Sequence, residues 1–355
     1  MAFATEDDLE QWALGELQGL GFTYLHGSEL SPETENPVRQ SYHDTLLLPR
    51  LDAAIRRLNP ALPPEAVQTV LNRVRDTEFA GDLISENRRI HGILVGGVPV
   101  TWFEGGEERN AIARLVDWEN GANDWLATNQ FEVVGQTARR PDVVIFLNGM
   151  PLIVIELKGT ETGTLKGAYN QIETYKAQVP ALFRTNAFSV ISEGVTARYG
   201  SLSANLDRFM RWRTVDGDTL VEDGTDLALQ TLIHGLLAPG TILELVRYCM
   251  VYEDEGKGPI KKIAGYHQFH AVRKAVSAVL RARDIDGRGG VMWHTQGSGK
   301  SLLMAFLAGR LMRHPDLENP TVVVITDRND LDNQLYATFS RCEALFGEAP
   351  EQAED

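Results

Sequence analysis

Only two cysteines, Cys249 and Cys342, occur in 355 residues, far apart and outside any metal-ligand spacing. A disulfide framework and a zinc ribbon are therefore excluded, and a cytoplasmic, reducing location is expected. No apolar run reaches the roughly 20 residues that a bilayer demands. The start, Met1-Ala2-Phe3-Ala4-Thr5-Glu6-Asp7-Asp8, is acidic where a secretory leader is basic. Neither secretion nor a membrane partner is expected. Internal repeats and low-complexity tracts are missing too. Basic residues are outnumbered, 34 against 49 acidic, for a net charge of −15, which argues against a chain that coats nucleic acid through overall charge.

The charge is unevenly spread. Between Gly256 and Pro315 eleven basic side chains stand against only Asp284 and Asp286. That change of sign implies two units, the second with a basic surface able to meet phosphate. Length agrees, since about 100 to 200 residues make one domain. Thr5 with Asp8 makes a capping box ahead of Leu9, Trp12, Ala13, Leu17 and Leu20 at helical spacing. Asp52 to Arg75 reads as helix interrupted by Pro60, Pro63 and Pro64. Strand-forming residues gather at Ile90 to Phe103, Val143 to Leu147, Leu152 to Leu157 and Phe188 to Ile191, with a helix near Ala168 to Gln178. The first unit is thus mixed α/β. The Gly/Asp-rich stretch from Val215 to Gly224 and the break at Gly256 to Gly258 bracket the boundary, giving domains of 1–225 and 261–355 joined by a helical connection, 226–260. After Tyr266 the order is helix (Gln268 to Arg281), strand (Gly290 to Trp293), glycine loop, helix (Leu302 to Arg313) and strand (Thr321 to Thr326). Such an order opens a parallel sheet.

Two constellations carry chemistry. In the first, Pro141-Asp142 leads into Val143 to Leu147, a turn at Asn148-Gly149, and a second strand ending Glu156-Leu157-Lys158. Side chains alternate along a strand, so Glu156 and Lys158 share one face with Val154. A regular two-residue loop would pair Asp142 with Ile155 and throw Glu156 to the opposite face. A three-residue loop, or one bulge, pairs Leu147 with Pro151 and sets Asp142 opposite Glu156 at about 5 Å between Cβ atoms. We expect this odd register. Two carboxylates so placed can share Mg²⁺, and Lys158 beside them can orient or deprotonate an attacking water and offset charge on a phosphorane-like transition state. Phosphodiester hydrolysis follows. Without that context, Asp…Glu-x-Lys describes a solvated hairpin end. Gln171 and Tyr175, four apart, share a helix face and could touch DNA or the metal site.

The second constellation is Gly289-Gly290-Val291-Met292-Trp293-His294-Thr295-Gln296-Gly297-Ser298-Gly299-Lys300-Ser301. Gly297 and Gly299, with Ser298 between them, let backbone N–H groups face β- and γ-phosphates; Lys300 supplies charge, and Ser301 can ligate Mg²⁺. His294 stands where the general phosphate-loop pattern has its first glycine. Upstream, Tyr266 and Gln268 have the types needed to stack on adenine and read its edge. Downstream, Val322 to Ile325 run into a polar loop, Thr326 to Gln334, where α/β sheets bind ligands. Hydrolysis of ATP also needs an acidic motif on a later strand and an arginine from a second lobe. Glu253-Asp254-Glu255 has no apolar strand leading into it and is set aside, so ATP binding without turnover is expected of these residues.

Together these motifs resemble the restriction (R) subunit of type I restriction-modification enzymes. The resemblance is carried by Pro141-Asp142…Glu156-Leu157-Lys158, Gln171-x-x-x-Tyr175, Ile191-Ser192-Glu193-Gly194 with Ala197-Arg198-Tyr199-Gly200-Ser201, Tyr266-His267-Gln268, His294 to Ser301, and Asp327-Arg328-Asn329-Asp330-Leu331. It covers essentially this whole chain and only the amino-terminal part of a family member. It implies a PD-(D/E)xK nuclease domain with a mixed sheet, followed by an incomplete RecA-like, parallel-sheet lobe of a superfamily 2 translocase. It further implies that Asp142 and Glu156 bind Mg²⁺, that Lys158 is catalytic with Gln171 and Tyr175 assisting, and that Gln268, Lys300 and Ser301 hold ATP. Glu10 or Glu6 would be a further acidic helper. The implied partners are double-stranded DNA and the methylation (M) and specificity (S) subunits. A repair-type nuclease-helicase, and a remnant that binds nucleotide or DNA without catalysis, share these modules; the order of nuclease before motor favours the restriction reading.

Overall fold

Helix α1 (Glu6–Gly19) begins as its sequence dictates. The Thr5 hydroxyl accepts the Asp8 N–H while the Asp8 carboxylate accepts the Thr5 N–H. The structure is a computed structural model that describes residues 5–159, 163–221, 228–254, 256 and 258–352. Glu255, Lys257 and the end of the Val215 to Gly224 connection lie outside the described residues. Contacts divide the chain into two compact units, Met1–Leu243 and Glu244–Asp355. Among the described residues no single helix is long and apolar enough to cross a membrane.

In the first unit the prolines separate α2 (Leu48–Leu58) from α3 (Pro64–Arg75). The stretch expected as strand from Ile90 to Phe103 divides in two. Asp82 caps α4 (Leu83–Gly96), whose Glu86, Asn87, Ile90 and Leu94 fall on one buried face. Strand begins only after Gly97, at φ 79°. The apolar run was real but its period was helical, and the cap decided between them. A hairpin, β2 (Val98–Glu104) with β3 (Glu107–Ala113), follows.

The central sheet has six strands, in spatial order β1 (Thr23–Tyr24), β4 (Trp125–Asn129), β7 (Val143–Leu147), β8 (Met150–Leu157), β9 (Phe188–Ser192) and β10 (Ala197–Gly200). It is mixed, with β1/β4 and β8/β9 parallel and the other pairs antiparallel. Between β4 and β7 a short ladder forms from β5 (Val133–Val134) and β6 (Ala138–Arg139). Helix α5 (Leu165–Gln178) covers one face, where Ala168, Ile172 and Tyr175 join Val144, Phe146, Val154 and Ile191 in one buried cluster. Burying each large apolar side chain stabilises the fold by about 1.5–3 kcal/mol. Helix α6 (Ala228–Leu236) meets α1 through His234 Nε2, 2.5 Å from Glu16 Oε2.

The second unit takes in the end of α7 (Pro239–Tyr248), an antiparallel hairpin of β11 (Met250–Asp254) and β12 (Pro259–Ile263), and then α8 (Tyr266–Arg283), α9 (Lys300–Met312), α10 (Asn329–Arg341) and α11 (Glu343–Phe346). Two expectations are corrected here. Gly290 to Trp293 and Thr321 to Thr326 are not strands, and Val291 and Ile325 are 97% and 88% exposed. A parallel strand takes its hydrogen bonds from a neighbouring strand. Here β11 and β12 use each other, so the parallel sheet does not form among the described residues. Glu253, set aside for want of a leading strand, does end one; it is buried and accepts from Lys262 Nζ at 2.7 Å.

Candidate active site

The β7–β8 turn is closed by Asn148 at φ 51° and Gly149 at φ 80°, the positive pair that a tight two-residue hairpin loop requires. It is also buried. Asn148 Nδ2 donates to the Leu115 carbonyl at 2.9 Å, its Oδ1 accepts the Asp124 N–H at 2.7 Å, and the Leu47 N–H donates to the Gly149 carbonyl at 2.8 Å. A Cβ on Gly149 would stand 2.6 Å from the Leu47 oxygen. The loop therefore has no room to lengthen, and Leu147 pairs with Met150, not with Pro151. The extra residue is taken up one step later. Phe146 pairs with Pro151 but Ile145 with Ile153, leaving Leu152 as a bulge. Val143 then opposes Ile155, and one step on Asp142 comes level with Glu156, as expected for the odd register.

Both carboxylates lie on the α5 face, in line with Val144 and Val154. Asp142 is 8% exposed and Glu156 1%. Asp142 Oδ2 accepts the Leu157 N–H at 2.6 Å, which fixes its orientation. Lys158 Nζ donates to Glu156 Oε1 at 2.7 Å and to the Leu157 carbonyl at 3.1 Å, and pairs with Glu6 Oε1 at 3.2 Å. Burial, then the Glu156 charge, pushes the Asp142 carboxyl up to about 8; burial likewise raises Glu156, against the pull of Lys158. Burial opposes the charge on Lys158, but Glu156, Asp142 and Glu6 outweigh it and raise its pKa. The amine is thus a cation and a hydrogen-bond donor.

Glu156 Oε2 is buried and makes no hydrogen bond of good geometry, and the Tyr175 hydroxyl, close to the same carboxylate, favours its charged form. Two buried carboxylates that repel each other, with one amine shared between Glu156 and Glu6, are a donor set short of a cation. Among the described residues no group of three or more His, Cys, Asp or Glu side chains could hold a metal ion. Two carboxylates suit an ion that keeps several waters, as Mg²⁺ does.

Of the other expected residues, Tyr175 is 2% exposed and stands in the field of both carboxylates. Its hydroxyl donates to the Arg140 carbonyl at 3.3 Å and meets Gln171, and burial followed by Glu156 pushes its pKa up. Gln171 therefore acts on the site through Tyr175, whose hydroxyl also reaches the Glu156 carboxylate. The two acids of α1 differ in placement. Glu6 joins Lys158, whereas Glu10 turns to Asn129 Nδ2 at 2.7 Å and Gln130 Nε2 at 3.3 Å. The Leu157 amide and Arg140 carbonyl were not legible in the motif, because backbone groups leave no residue-type signal.

In the second unit Gly297 and Gly299 take φ of 80° and 75°, and Gly299 precedes the first turn of α9, which holds Lys300 and Ser301. Lys300 Nζ donates back to the His294 and Thr295 carbonyls at 2.5 and 3.0 Å, and Ser298 Oγ donates to the Thr295 carbonyl at 2.8 Å. Gln268 accepts the Gly265 N–H at 2.9 Å and donates to the Gly299 carbonyl at 3.1 Å. Its amide thus braces the loop. Tyr266 stands edge-on to His267, with ring centroids 5.5 Å apart.

Residues 3–208 match the model of the type I restriction enzyme R protein N terminus family, and residues 267–355 match that of the SWI2/SNF2 ATPase family. The chain is 42% identical over 99% of its length to the type I restriction enzyme HindI endonuclease subunit of Haemophilus influenzae, covering 34% of that protein. It is 33% identical over 98% of its length to a putative type I restriction enzyme MjaIXP endonuclease subunit of Methanocaldococcus jannaschii, again covering 34%. A Staphylococcus aureus relative, the SauMSSORF170P endonuclease subunit, is 28% identical over 96% of the chain. The chain spans about a third of the length of these curated relatives.

Proposed function

The chain belongs to the type I restriction enzyme R protein N terminus family, and from that premise we propose that its first unit is a Mg²⁺-dependent DNA phosphodiesterase of the PD-(D/E)xK type. The observation that carries this reading is the bulge at Leu152, which sets Asp142 level with Glu156, both buried, with Lys158 Nζ on Glu156. Asp142 and Glu156 would hold the ion, which when bound supplies a Lewis acid and a water of lowered pKa. Lys158, charged and 2.7 Å from Glu156, orients the attacking water and offsets the negative charge that grows on the phosphate. Of the two roles open to this amine, orientation is favoured over proton abstraction, since three acids raise its pKa. Tyr175 and Gln171 position the dyad from α5. The left-handed Gly297 and Gly299, with Lys300 and Ser301 in the first turn of α9, support a nucleotide site in the second unit, where Lys300 would meet the phosphates of ATP and Ser301 the Mg²⁺. ATP-driven translocation on double-stranded DNA, and docking to methylation and specificity subunits, are proposed for the whole subunit.

The test is nicking of supercoiled plasmid, with and without Mg²⁺, by the chain and by Asp142→Ala and Lys158→Ala. We expect Mg²⁺-dependent nicking that both variants lose. Nicking that survives Asp142→Ala, or a wild-type chain whose melting temperature ignores Mg²⁺, would sink the reading.

A further inference from the structure

The first unit has a cavity of about 350 Å³ that Arg140 helps to line, at the lower end of the range for small-ligand sites. Its wall is more apolar than polar, with hydroxyls and an amide from Ser28, Ser31, Thr34, Tyr42 and Gln130 set in it and Arg140 and Glu132 also lining it. An apolar wall with a few hydroxyls suits a nucleobase, which offers a flat face and a hydrogen-bonding edge. Ser31 Oγ and Tyr42 Oη lie 2.9 Å apart, and Ser31 Oγ also accepts the Glu33 N–H at 3.1 Å, so Tyr42 keeps the greater capacity for a further bond. The Arg140 guanidinium is 62% exposed and held by Glu132, its Nε donating to Glu132 Oε2 at 2.8 Å. Glu33, the other acid of the lining, is exposed.

Three features tie this cavity to the dyad and mark it as built. Arg140 lies two residues before Asp142, so about 7 Å of chain at most separates them, and its carbonyl holds Tyr175. Gln130 keeps a left-handed φ of 51°, a strain of roughly 1 kcal/mol or more that persists only where the surroundings impose it. Gly27 imposes it, packing so closely that an added Cβ would lie 2.2 Å from the Gln130 oxygen. Behind the wall Arg39, 3% exposed, donates through Nε to the Leu30 carbonyl and through Nη1 to the Glu132 carbonyl, both at 2.7 Å. Its Nη2 is buried without a partner. That guanidinium adds positive charge where the nearby carboxylates alone would repel DNA.

Resting on the nuclease reading above, we propose that this cavity receives an unstacked deoxynucleotide adjoining the phosphodiester that is cut, its base among Ser31, Tyr42 and Gln130 and its phosphate on Arg140. A strand carries a phosphate every ~3.4 Å of helix axis, so a scissile phosphate at the dyad puts its neighbour within reach of Arg140. Binding exchanges the Arg140–Glu132 pair for an Arg140–phosphate pair, and the base leaves its stack as it does in enzymes that read an extruded nucleotide.

The test places 2-aminopurine, which brightens when unstacked, at successive positions of a DNA duplex and titrates the chain in EDTA. We expect brightening on binding, at whichever positions Mg²⁺ later lets the chain cut. Ser28→Trp, at an exposed residue of the cavity lining, should abolish it. Arg140→Met should weaken DNA binding about tenfold and lower the salt slope of log K by about one, while Glu132→Gln, which frees Arg140, should tighten it. No brightening, or brightness and salt slope unchanged in Ser28→Trp and Arg140→Met, would overturn the subsite. If Mg²⁺-dependent nicking persists in that case, the nuclease reading stands without it. If wild-type nicking is missing, both fall.

Discussion

Replacing Asp142 by Asn should make the metal-free protein more stable and catalytically dead. In the metal-free chain the Asp142 carboxyl is pushed to about 8 by burial and by Glu156, against an ordinary value near 3.9. An acid whose folded pKa lies above its unfolded one makes the folded state hold the extra proton, so stability falls as pH rises from about 4 to about 8. At pH 7 the displacement spans about three pH units, a ceiling of about 4 kcal/mol. The Asn side chain has its own burial cost, so about half of that, about 2 kcal/mol, is the expected gain. The geometry favours the exchange. Asn Oδ1 can keep the bond that the Leu157 N–H now gives Asp142 Oδ2 at 2.6 Å, and its amide replaces a charge that repels Glu156 with a donor. At about 2–4 °C per kcal/mol for a unit of this size, Asp142→Asn should melt about 4–8 °C higher than wild type in EDTA at pH 7. The gain should vanish near pH 4, where both proteins are neutral at this position. Mg²⁺ should raise the melting temperature of wild type alone. A variant that melts lower than wild type at pH 7, or a difference independent of pH between 4 and 8, would refute the reasoning.

Other consequences follow from single contacts. Gly149→Ala should cost at least about 2 kcal/mol in urea unfolding, because φ of 80° and the Leu47 oxygen at 2.6 Å both exclude a Cβ. Burial disfavours the charge on Glu86, but hydrogen bonds from Arg89, Arg184 and the Phe79 N–H outweigh it and lower its pKa to about 2. That stabilisation is present above the unfolded pKa, near 4.3, and is lost as pH falls toward 2; Glu86→Gln should therefore melt well below wild type at pH 7 and approach it at pH 2. Lys300→Ala should weaken binding of a fluorescent ATP analogue at least about tenfold, and an unchanged affinity would remove the phosphate loop from the nucleotide site.

What the sequence determined by itself was local. The Thr5–Asp8 capping box, the strands on either side of Asn148-Gly149, the helix carrying Gln171 and Tyr175 and the glycines of the phosphate loop each follow from residue types within one turn or one hairpin. The family resemblance rests on the same short motifs. Tertiary structure decided what depends on distant partners. The turn could not grow because α2 lies over Gly149, so a bulge at Leu152 supplied the register that brings Asp142 and Glu156 together. Glu6 joined Lys158 while Glu10 turned to Asn129, a choice that helical spacing alone does not make. Ile90 proved helical because Asp82 capped a helix whose other buried residues lie a turn away. The apolar segments at 290–293 and 321–326 have strand composition but no ladder. Propensity is a property of one segment, whereas a sheet hydrogen bond, a shared metal site and a buried turn each need a second segment whose position the first does not encode.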